Sequence, residues 1–414
     1  MTTVDEKTRA FIRTNREKDV RNLALKSDKV KDIDLSFALT QIAGWQSIRE
    51  KVPTWASIEE IIYPPHLPLE QCSSEATAIY KYGVVSKYQN KDKQRNSTLV
   101  DLTGGFGIDC WFMSRDFKQI TYIERQKSLA EIAKHNFKVL QENTAQLAKC
   151  PTILVHSEDC VEWLSNHASP IDWVFIDPTR RDGHGGKTVA INDCEPNICQ
   201  IEDLLIEKAC QVMVKLSPML DLTKALSQLR HVQEVHIVSI DNECKELLFL
   251  LSKSTETDAS HTPIHCVNIR KTATQQFLFN KQEEENSSFN YANGIGKYLY
   301  EPNASILKAG AFKVLSQKFG VRKICLNSHL YTSDLLVPDF PGRVFEVEGT
   351  SSFNKKELHA LLADMPKANL TIRNFPSSVA ELRKRLHIAE GGDIYLFATT
   401  LHPQEKLLIK CRKS

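Results

Sequence analysis

The sequence lacks the features that would place it in a membrane, an oxidising compartment or a metal framework. No apolar run approaches the roughly 20 residues of a membrane span, and the opening MTTVDEKTRAFIR is charged where a signal peptide needs an apolar stretch. Eleven cysteines are scattered with no C-x-x-C pair, a pattern that suits thiols kept reduced in a cytosol better than a zinc site or a disulfide scaffold. A cytoplasmic chain with neither membrane nor metal partner is therefore expected. Charge of one sign is also missing. The 53 Lys and Arg against 51 Asp and Glu leave a net +2, which taken alone speaks against a nucleic-acid partner. What is there is 414 residues of ordinary globular composition, 42% hydrophobic and 25% charged. That is more chain than one core usually supports, so two to four domains are expected.

The average charge conceals a split. From Lys297 to Ser414 there are 18 basic and 11 acidic residues, a net of +7 that leaves −5 for the remainder. A basic C-terminal part fits a phosphate-bearing partner or a solubilising face equally well.

Residues up to about Asn96 read as helical, because Phe11, Val20, Leu23, Leu25, Leu35, Leu39, Ile42 and Trp45 recur at spacings near three and four. Pro53 and YPPHLP (63–68) are read as breaks that cannot lie inside helices. SSEATAIYKY offers a helix start, with Ser73 or Ser74 as cap and Glu75 in the first turn. From TLVDL (98–102) onward, strands alternate with helical stretches: QITYIE, TILVH, DWVFID and QVMVKL, then VHIVSI, IHCVNI and QQFLFN. The alternation predicts a parallel sheet covered by helices, with the last two runs closing it as a hairpin. KQEEENSS (281–288) marks a boundary, followed by a helix around 305–318 and a strand at RKICLN. After VPDFPGR the order strand, helix, strand, helix, strand, strand predicts a second small mixed sheet.

VDLTGGFGID (100–109) joins the first of these strands to a helix. Its glycines let the chain turn sharply and let backbone N–H groups approach a ligand. Acids then stand at successive strand ends: Asp101, Glu124, Asp159 and Asp177. Open α/β sheets bind ligands at the carboxyl ends of their strands, so all four converge on one crevice. Glu124 is placed to accept ribose hydroxyls of an adenosine-containing ligand, and Asp159 to meet the adenine amino group. Neither the G-x-G-x-x-G spacing of a dinucleotide site nor the Lys-Ser/Thr of a phosphate loop is present. Asp101 beside the turn would repel a pyrophosphate and suits a cationic amino-acid moiety. Acid, glycine turn, acid, acid, Asp-Pro is the order of the class I S-adenosylmethionine (SAM) methyltransferases, which this segment resembles. The resemblance implies cofactor contacts from Asp101, Thr103, Gly104, Gly105, Gly107, Glu124, Asp159 and Asp177. Thr103 stands where that family usually has its first glycine, a variant similar to the loop of bacterial rRNA guanine-N2 methyltransferases.

In amino-directed nucleic-acid methyltransferases the fourth strand ends in Asp/Asn-Pro-Pro and an aromatic. Here it reads Asp177-Pro178-Thr179-Arg180-Arg181, with the acid kept and the aromatic absent. Asp177 is the expected proton acceptor or amine-orienting group. Arg180, with Arg181 beside it, is read as stacking on a base or clamping a phosphate, or else as pairing with a nearby carboxylate. Methylation of a pyrimidine C5 would need a cysteine at a strand end, and KLSPMLD carries Ser217 there; Cys194 and Cys199 read as core or loop thiols. Transfer to a nitrogen is favoured. GHGGKT (183–188) reads as a substrate-gating loop.

Over nearly its whole length the chain resembles bacterial class I methyltransferases with a C-terminal THUMP-like domain, through PLEQCSSEATAIYKY, VDLTGGFGID, IDPTRRDG and YLYEPNASILKAG. The resemblance implies a helical N-terminal domain (1–95), a Rossmann-like seven-stranded core (96–282), a small ferredoxin-like α/β domain (283–340) and a THUMP-like α/β end (341–414). THUMP domains are RNA-binding modules, so the implied substrate is structured RNA, rRNA or tRNA. Arg383, Lys384 and Arg385 are then candidate phosphate contacts, or a solvated face. Tyr298 and Tyr300 are stacking candidates or core. LEQCSSEATA (69–78) is read either as folding over the crevice, with Gln71 and Thr77 as contacts, or as a capping box. Methylation of a protein or small molecule, or SAM binding without turnover in an RNA- or partner-binding module, remain the alternatives.

Overall fold

The computed structural model describes residues 5–25, 32–89, 97–144, 152–180, 190–253, 258–363 and 365–414. They form two compact units, Met1–Val232 with Phe249–Glu256, and Gln233–Leu248 with Thr257–Ser414. Among the described residues no helix is long and apolar enough to cross a membrane, and the described cysteines are free thiols.

The first unit opens with six helices: α1 (Glu6–Asn15), α2 (Val20–Ala24), α3 (Leu35–Ile48), α4 (Pro53–Ala56), α5 (His66–Gln71) and α6 (Glu75–Tyr88). Their starts follow side-chain chemistry. Asp5, Asp34 and Ser74 each accept a backbone N–H of the first turn of α1, α3 and α6. Pro53 and Pro68 were expected outside helices, but Pro53 opens α4 and Pro68 lies in the first turn of α5. A missing N–H costs little there, because first-turn donors have no partner inside the helix. Ile42, Ile48, Val52 and Trp55 are fully buried, and Trp55 meets Phe106 edge-on at 5.0 Å between ring centroids. The glycine turn thus packs directly on the helical segment. Asn136 reinforces the join, exchanging both amide hydrogen bonds with the backbone of Ile62.

Five parallel strands follow in this unit: β1 (Thr98–Asp101), β2 (Gln119–Ile123), β3 (Thr152–His156), β4 (Ile171–Ile176) and β5 (Ala209–Leu216). Helices α7 (Ile108–Met113), α8 (Lys127–Thr144), α9 (Cys160–Asn166), α10 (Ile198–Lys208) and α11 (Leu222–Gln228) alternate with them. The strand order is β5-β4-β1-β2-β3. The chain runs outward from β1 to β2 and β3 on one side, then crosses back to β4 and β5 on the other, so the switch point of the sheet falls at the end of β1. Its centre is apolar on both faces, as expected for a covered parallel sheet: Leu99, Val100, Ile120, Tyr122, Val174, Ile176, Val212 and Val214 are all buried. The strand β7 (Glu243–Ser252) borders β5, and its Phe249–Ser252 belong to this unit. That ten-residue strand was not anticipated, because the polar start ECKE hides the apolar run LLFLL behind it.

In the second unit β6 (Val232–Ile240) pairs in parallel with β8 (Ile264–Ile269), which forms the expected hairpin with β9 (Thr274–Phe279). A second sheet contains β10 (Tyr298–Pro302), β11 (Tyr331–Ser333), β12 (Gly342–Ser352), β13 (Asn369–Arg373), β14 (Ile394–Leu401) and β15 (Glu405–Lys413), in the order β11-β10-β12-β15-β14-β13. The helix expected over 305–318 divides into α13 (Ala304–Ala309) and α14 (Lys313–Phe319), after α12 (Lys281–Asn286). Gly310 adopts φ +73° and caps α13, which ends it there. RKICLN contributes only Arg322–Lys323 as strand. The last six elements appear in the expected order, with α15 (Lys355–Leu362) and α16 (Val379–Leu386) between strands. Tyr300 is fully buried and bonds Ser333 through its hydroxyl, a core position.

Candidate active site

The carboxyl ends of β1, β2 and β4 open into a cavity of about 500 Å³, whose lining also includes Pro64, Pro65, Gln71, Cys72 and Ser73 from the segment around α5. Asp101, Thr103, Gly104, Gly105, Glu124, Asp159 and Asp177 all line it.

The turn after β1 is held from three sides. Gly104 donates to the Ile123 carbonyl at 2.8 Å, and Gly105 donates to the Glu124 carboxylate at 3.1 Å. The Tyr122 hydroxyl donates to the Gly105 carbonyl at 2.5 Å. A Cβ on Gly104 would lie 2.0 Å from the buried Tyr122 ring, so only glycine fits. Thr103 has its own reason to replace the usual glycine. Its hydroxyl accepts the backbone N–H of Asp177 at 2.6 Å and stitches the β1 turn to the end of β4. Gly107, expected as a cofactor contact, is not among the lining residues; it precedes α7 with φ +91°, where a Cβ would meet the Phe137 ring at 2.7 Å.

The acids differ in environment. Asp101 is 1% exposed; its Oδ1 accepts the Thr103 N–H at 3.1 Å, while Oδ2 is buried with no hydrogen-bond partner among the described residues. Burial, with Asp109 and Asp177 nearby, pushes its carboxyl well above the ordinary aspartate range. Glu124 accepts N–H groups of Gly105 and Gln126, one on each oxygen. Asp159 caps α9, accepting from Val161 and Glu162 through Oδ1. Capping and cavity lining therefore coexist at this residue.

Sequence reasoning missed the cations. Lys215, the last polar residue of β5, is 2.5 Å from Asp177 Oδ2 and 3.7 Å from Asp109 Oδ2. Lys81 of α6, fully buried, is 3.3 Å from Asp109 Oδ1, and Ser73 donates to Asp109 Oδ2 at 2.7 Å. Asp109 is largely buried, yet Lys81, Lys215 and Ser73 overcome the burial penalty and hold its carboxyl below the usual range. A lysine closing the apolar run QVMVKL was the available signal for Lys215; nothing local marked Lys81. Of the LEQCSSEATA contacts, Gln71 lines the cavity, whereas Thr77 is buried in the first turn of α6. Arg180 pairs its backbone with Cys194 in a two-residue ladder; its side chain, Arg181 and the loop 183–188 lie outside the described residues. In the second unit, Arg383 is turned to the Ala368 carbonyl and Glu390, while Lys384 and Arg385 are exposed, Arg385 over the Phe353 ring.

Two outcomes follow for this site. Lys81→Met leaves a buried carboxylate short of one cation, and urea denaturation should show a loss of about 3 kcal/mol, largely recovered by adding Asp109→Leu. Gly104→Ala forces a methyl into the Tyr122 ring, so denaturation should register a loss of about 1–3 kcal/mol together with collapse of ligand binding.

Family models match residues 298–341 as a ferredoxin-like domain and 342–413 as a THUMP-like domain. No curated protein sequence matches the chain. Among solved structures, a candidate methyltransferase from Porphyromonas gingivalis W83 is similar at 34% identity and TM-score 0.85, covering 100% of both chains. The N-terminal domain of human METTL16 with S-adenosyl-homocysteine matches at 14% identity and TM-score 0.35, over 53% of this chain and 83% of that one. M. capricolum TrmK, in complex with its natural cofactor product S-adenosyl-homocysteine, matches at 13% identity and TM-score 0.30, over 43% of this chain and 70% of that one. Matched end to end by the Porphyromonas protein, with the parallel sheet and its acid-lined cavity, the chain belongs to that family of class I, SAM-dependent methyltransferases.

Proposed function

We propose that the chain is a cytoplasmic enzyme that holds SAM in the cavity at the end of β1 and methylates a base nitrogen of structured RNA. The observation that carries the cofactor reading is Asp101 Oδ2, a buried acceptor with no partner among the described residues. A cationic amino-acid moiety satisfies such an oxygen, and a phosphate would not. Glu124 and Asp159, already fixed by backbone donors, are the groups proposed to meet ribose hydroxyls and adenine. Bound there, SAM supplies a methyl group on a positively charged sulfur.

Direct transfer to a nitrogen needs little covalent work from the protein, so positioning and local charge supply most of the rate. Asp177 is the proposed acceptor for the target amine's hydrogen. Its carboxylate is oriented by Lys215 and its backbone by Thr103, which makes both of these positioning residues. A cysteine-nucleophile route fits poorly. The thiols lining the cavity are Cys72 and Cys160; burial raises both, Cys160 up to about 11, so neither is poised as a thiolate. Arg180 and Arg181, next along the chain from Asp177, are the proposed substrate contacts beside the reacting group.

The RNA assignment rests on the THUMP-like match over 342–413 and on the +7 charge of 297–414. In this division of labour 1–95 roofs the cofactor, 96–282 performs the chemistry, and 283–340 with 341–414 recognises RNA. Lys384 and Arg385 are the proposed phosphate contacts of α16, with Arg383 alongside.

Calorimetry should give saturable SAM binding that Asp101→Asn weakens at least tenfold. An acid whose folded pKa is raised contributes stability at low pH and loses it as pH rises through that pKa. The melting-temperature advantage of Asp101→Asn over the wild type should therefore grow from acidic to alkaline buffer, while wild-type SAM affinity rises over the same span. An absent SAM heat signal at millimolar concentration would overturn the reading.

Incubation with tritiated SAM and fractionated cellular RNA, protein and metabolites should label RNA, with Asp177→Ala reducing the label by two orders of magnitude or more. Label confined to protein or metabolites would replace RNA as substrate, and binding without label in any fraction would leave a SAM-binding module. The salt dependence of RNA binding should flatten by about one unit of slope when Lys384 is replaced by alanine.

A further inference from the structure

In the second unit, Glu234, His236 and His265 bring three ligand atoms within 4.8 Å of one another. The sheet makes this arrangement. Glu234 and His236 are two residues apart on β6 and share one face, and β8 runs parallel beside them with His265 directly opposite His236. The two imidazoles stack face to face, 4.4 Å between centroids and 8° from parallel. Both turn Nε2 to the same carboxylate: His236 lies 2.9 Å from Glu234 Oε1, and His265 lies 3.2 Å from Glu234 Oε2. Glu234 and His236 are 4% and 3% exposed, while the His265 side chain retains 21% of its surface, which leaves one side open to solvent.

We propose that Glu234, His236 and His265 hold a divalent transition-metal ion of the zinc class. Two imidazoles and one carboxylate are a donor set that zinc uses, and imidazole suits first-row transition ions generally. Bonds of about 2.0–2.1 Å in a tetrahedron put ligand atoms roughly 3.3 Å apart. The two separations to Glu234 are already near that value, and binding requires the stacked rings to tilt so that both Nε2 lone pairs point at one ion. The partly exposed side at His265 leaves room for a water as fourth ligand. The ion would tie β6 to β8, replacing a carboxylate shared by two imidazoles with three metal bonds. This assignment is independent of the cofactor cavity, and it revises the expectation of a metal-free chain, which considered cysteine spacing alone. A Glu-x-His on one strand and a lone histidine on another give no local motif.

The test uses the full-length protein stripped with a chelator and titrated with Co²⁺, then with Zn²⁺ as competitor. One Co²⁺ per chain should bind, with visible d–d absorption and no thiolate-to-cobalt charge-transfer band. Zn²⁺ should displace it and raise the melting temperature. His265→Gln, at the most exposed ligand, should lower affinity by at least about 100-fold and abolish the thermal shift. Glu234→Gln, nearly isosteric, should do the same. No saturable binding by the wild type, a thiolate charge-transfer band, or unchanged affinity in folded His265→Gln would each overturn the proposal. Cofactor binding, read separately by calorimetry, is not expected to depend on the outcome.

Discussion

A carboxylate withdrawn from the protein surface governs this site. Asp101 lies at the end of the central strand, 1% exposed, with one oxygen occupied by the backbone and the other by nothing described. Leaving a charged oxygen in such surroundings is costly, and the group responds by a raised pKa. The glycine turn and the Tyr122 ring beneath it enclose the carboxylate with few polar partners, and a cationic ligand offsets the resulting cost. A cationic ligand relieves the burial penalty and pairs the orphan oxygen at once. That differential is the proposed reason why a short acid-glycine turn prefers a cationic amino-acid moiety to the phosphates that other glycine turns bind.

The same low dielectric explains the neighbouring ion network. Asp109 could not stay charged next to Asp101 by itself; Lys81 from α6 and Lys215 from β5 make it possible. Because Lys215 also holds Asp177, α6, the start of α7, β5 and the end of β4 converge on one set of charges. The helical N-terminal segment is thereby part of the site's electrostatics as well as its roof. Thr103 adds a fourth link by accepting the Asp177 N–H. In this chain the turn's departure from all-glycine is compensated by a hydrogen bond that glycine cannot make.

What the sequence made legible was local. The VDLTGGFGID turn, the acids at strand ends and the final βαβαββ order all lie within short windows where periodicity and turn chemistry decide the outcome. Contacts made across the chain were not legible. Lys81 and Asp109 are 28 positions apart and meet only because α6 packs on α7; Glu234 and His265 meet only because β6 and β8 are neighbours. Strand β7 escaped for a different reason, since its polar first half suppresses the apolar signal of its second. In the sequence Asp159 reads as an adenine contact, and the structure adds a second task, the capping of α9, while its carboxylate lines the cavity.

The near-zero net charge is best understood through the two kinds of ligand proposed. A cofactor with a sulfonium and an ammonium favours an acidic pocket, and residues before Lys297 carry the net −5 that suits one. A polyphosphate chain favours the opposite sign, and residues from Lys297 on carry +7. If these charges were mixed evenly, each ligand would meet repulsion wherever the other found attraction. Keeping the two signs in separate parts of the sequence reduces that conflict. Neutrality overall is therefore no argument against the proposed RNA substrate, because −5 and +7 in two parts of the sequence sum to +2.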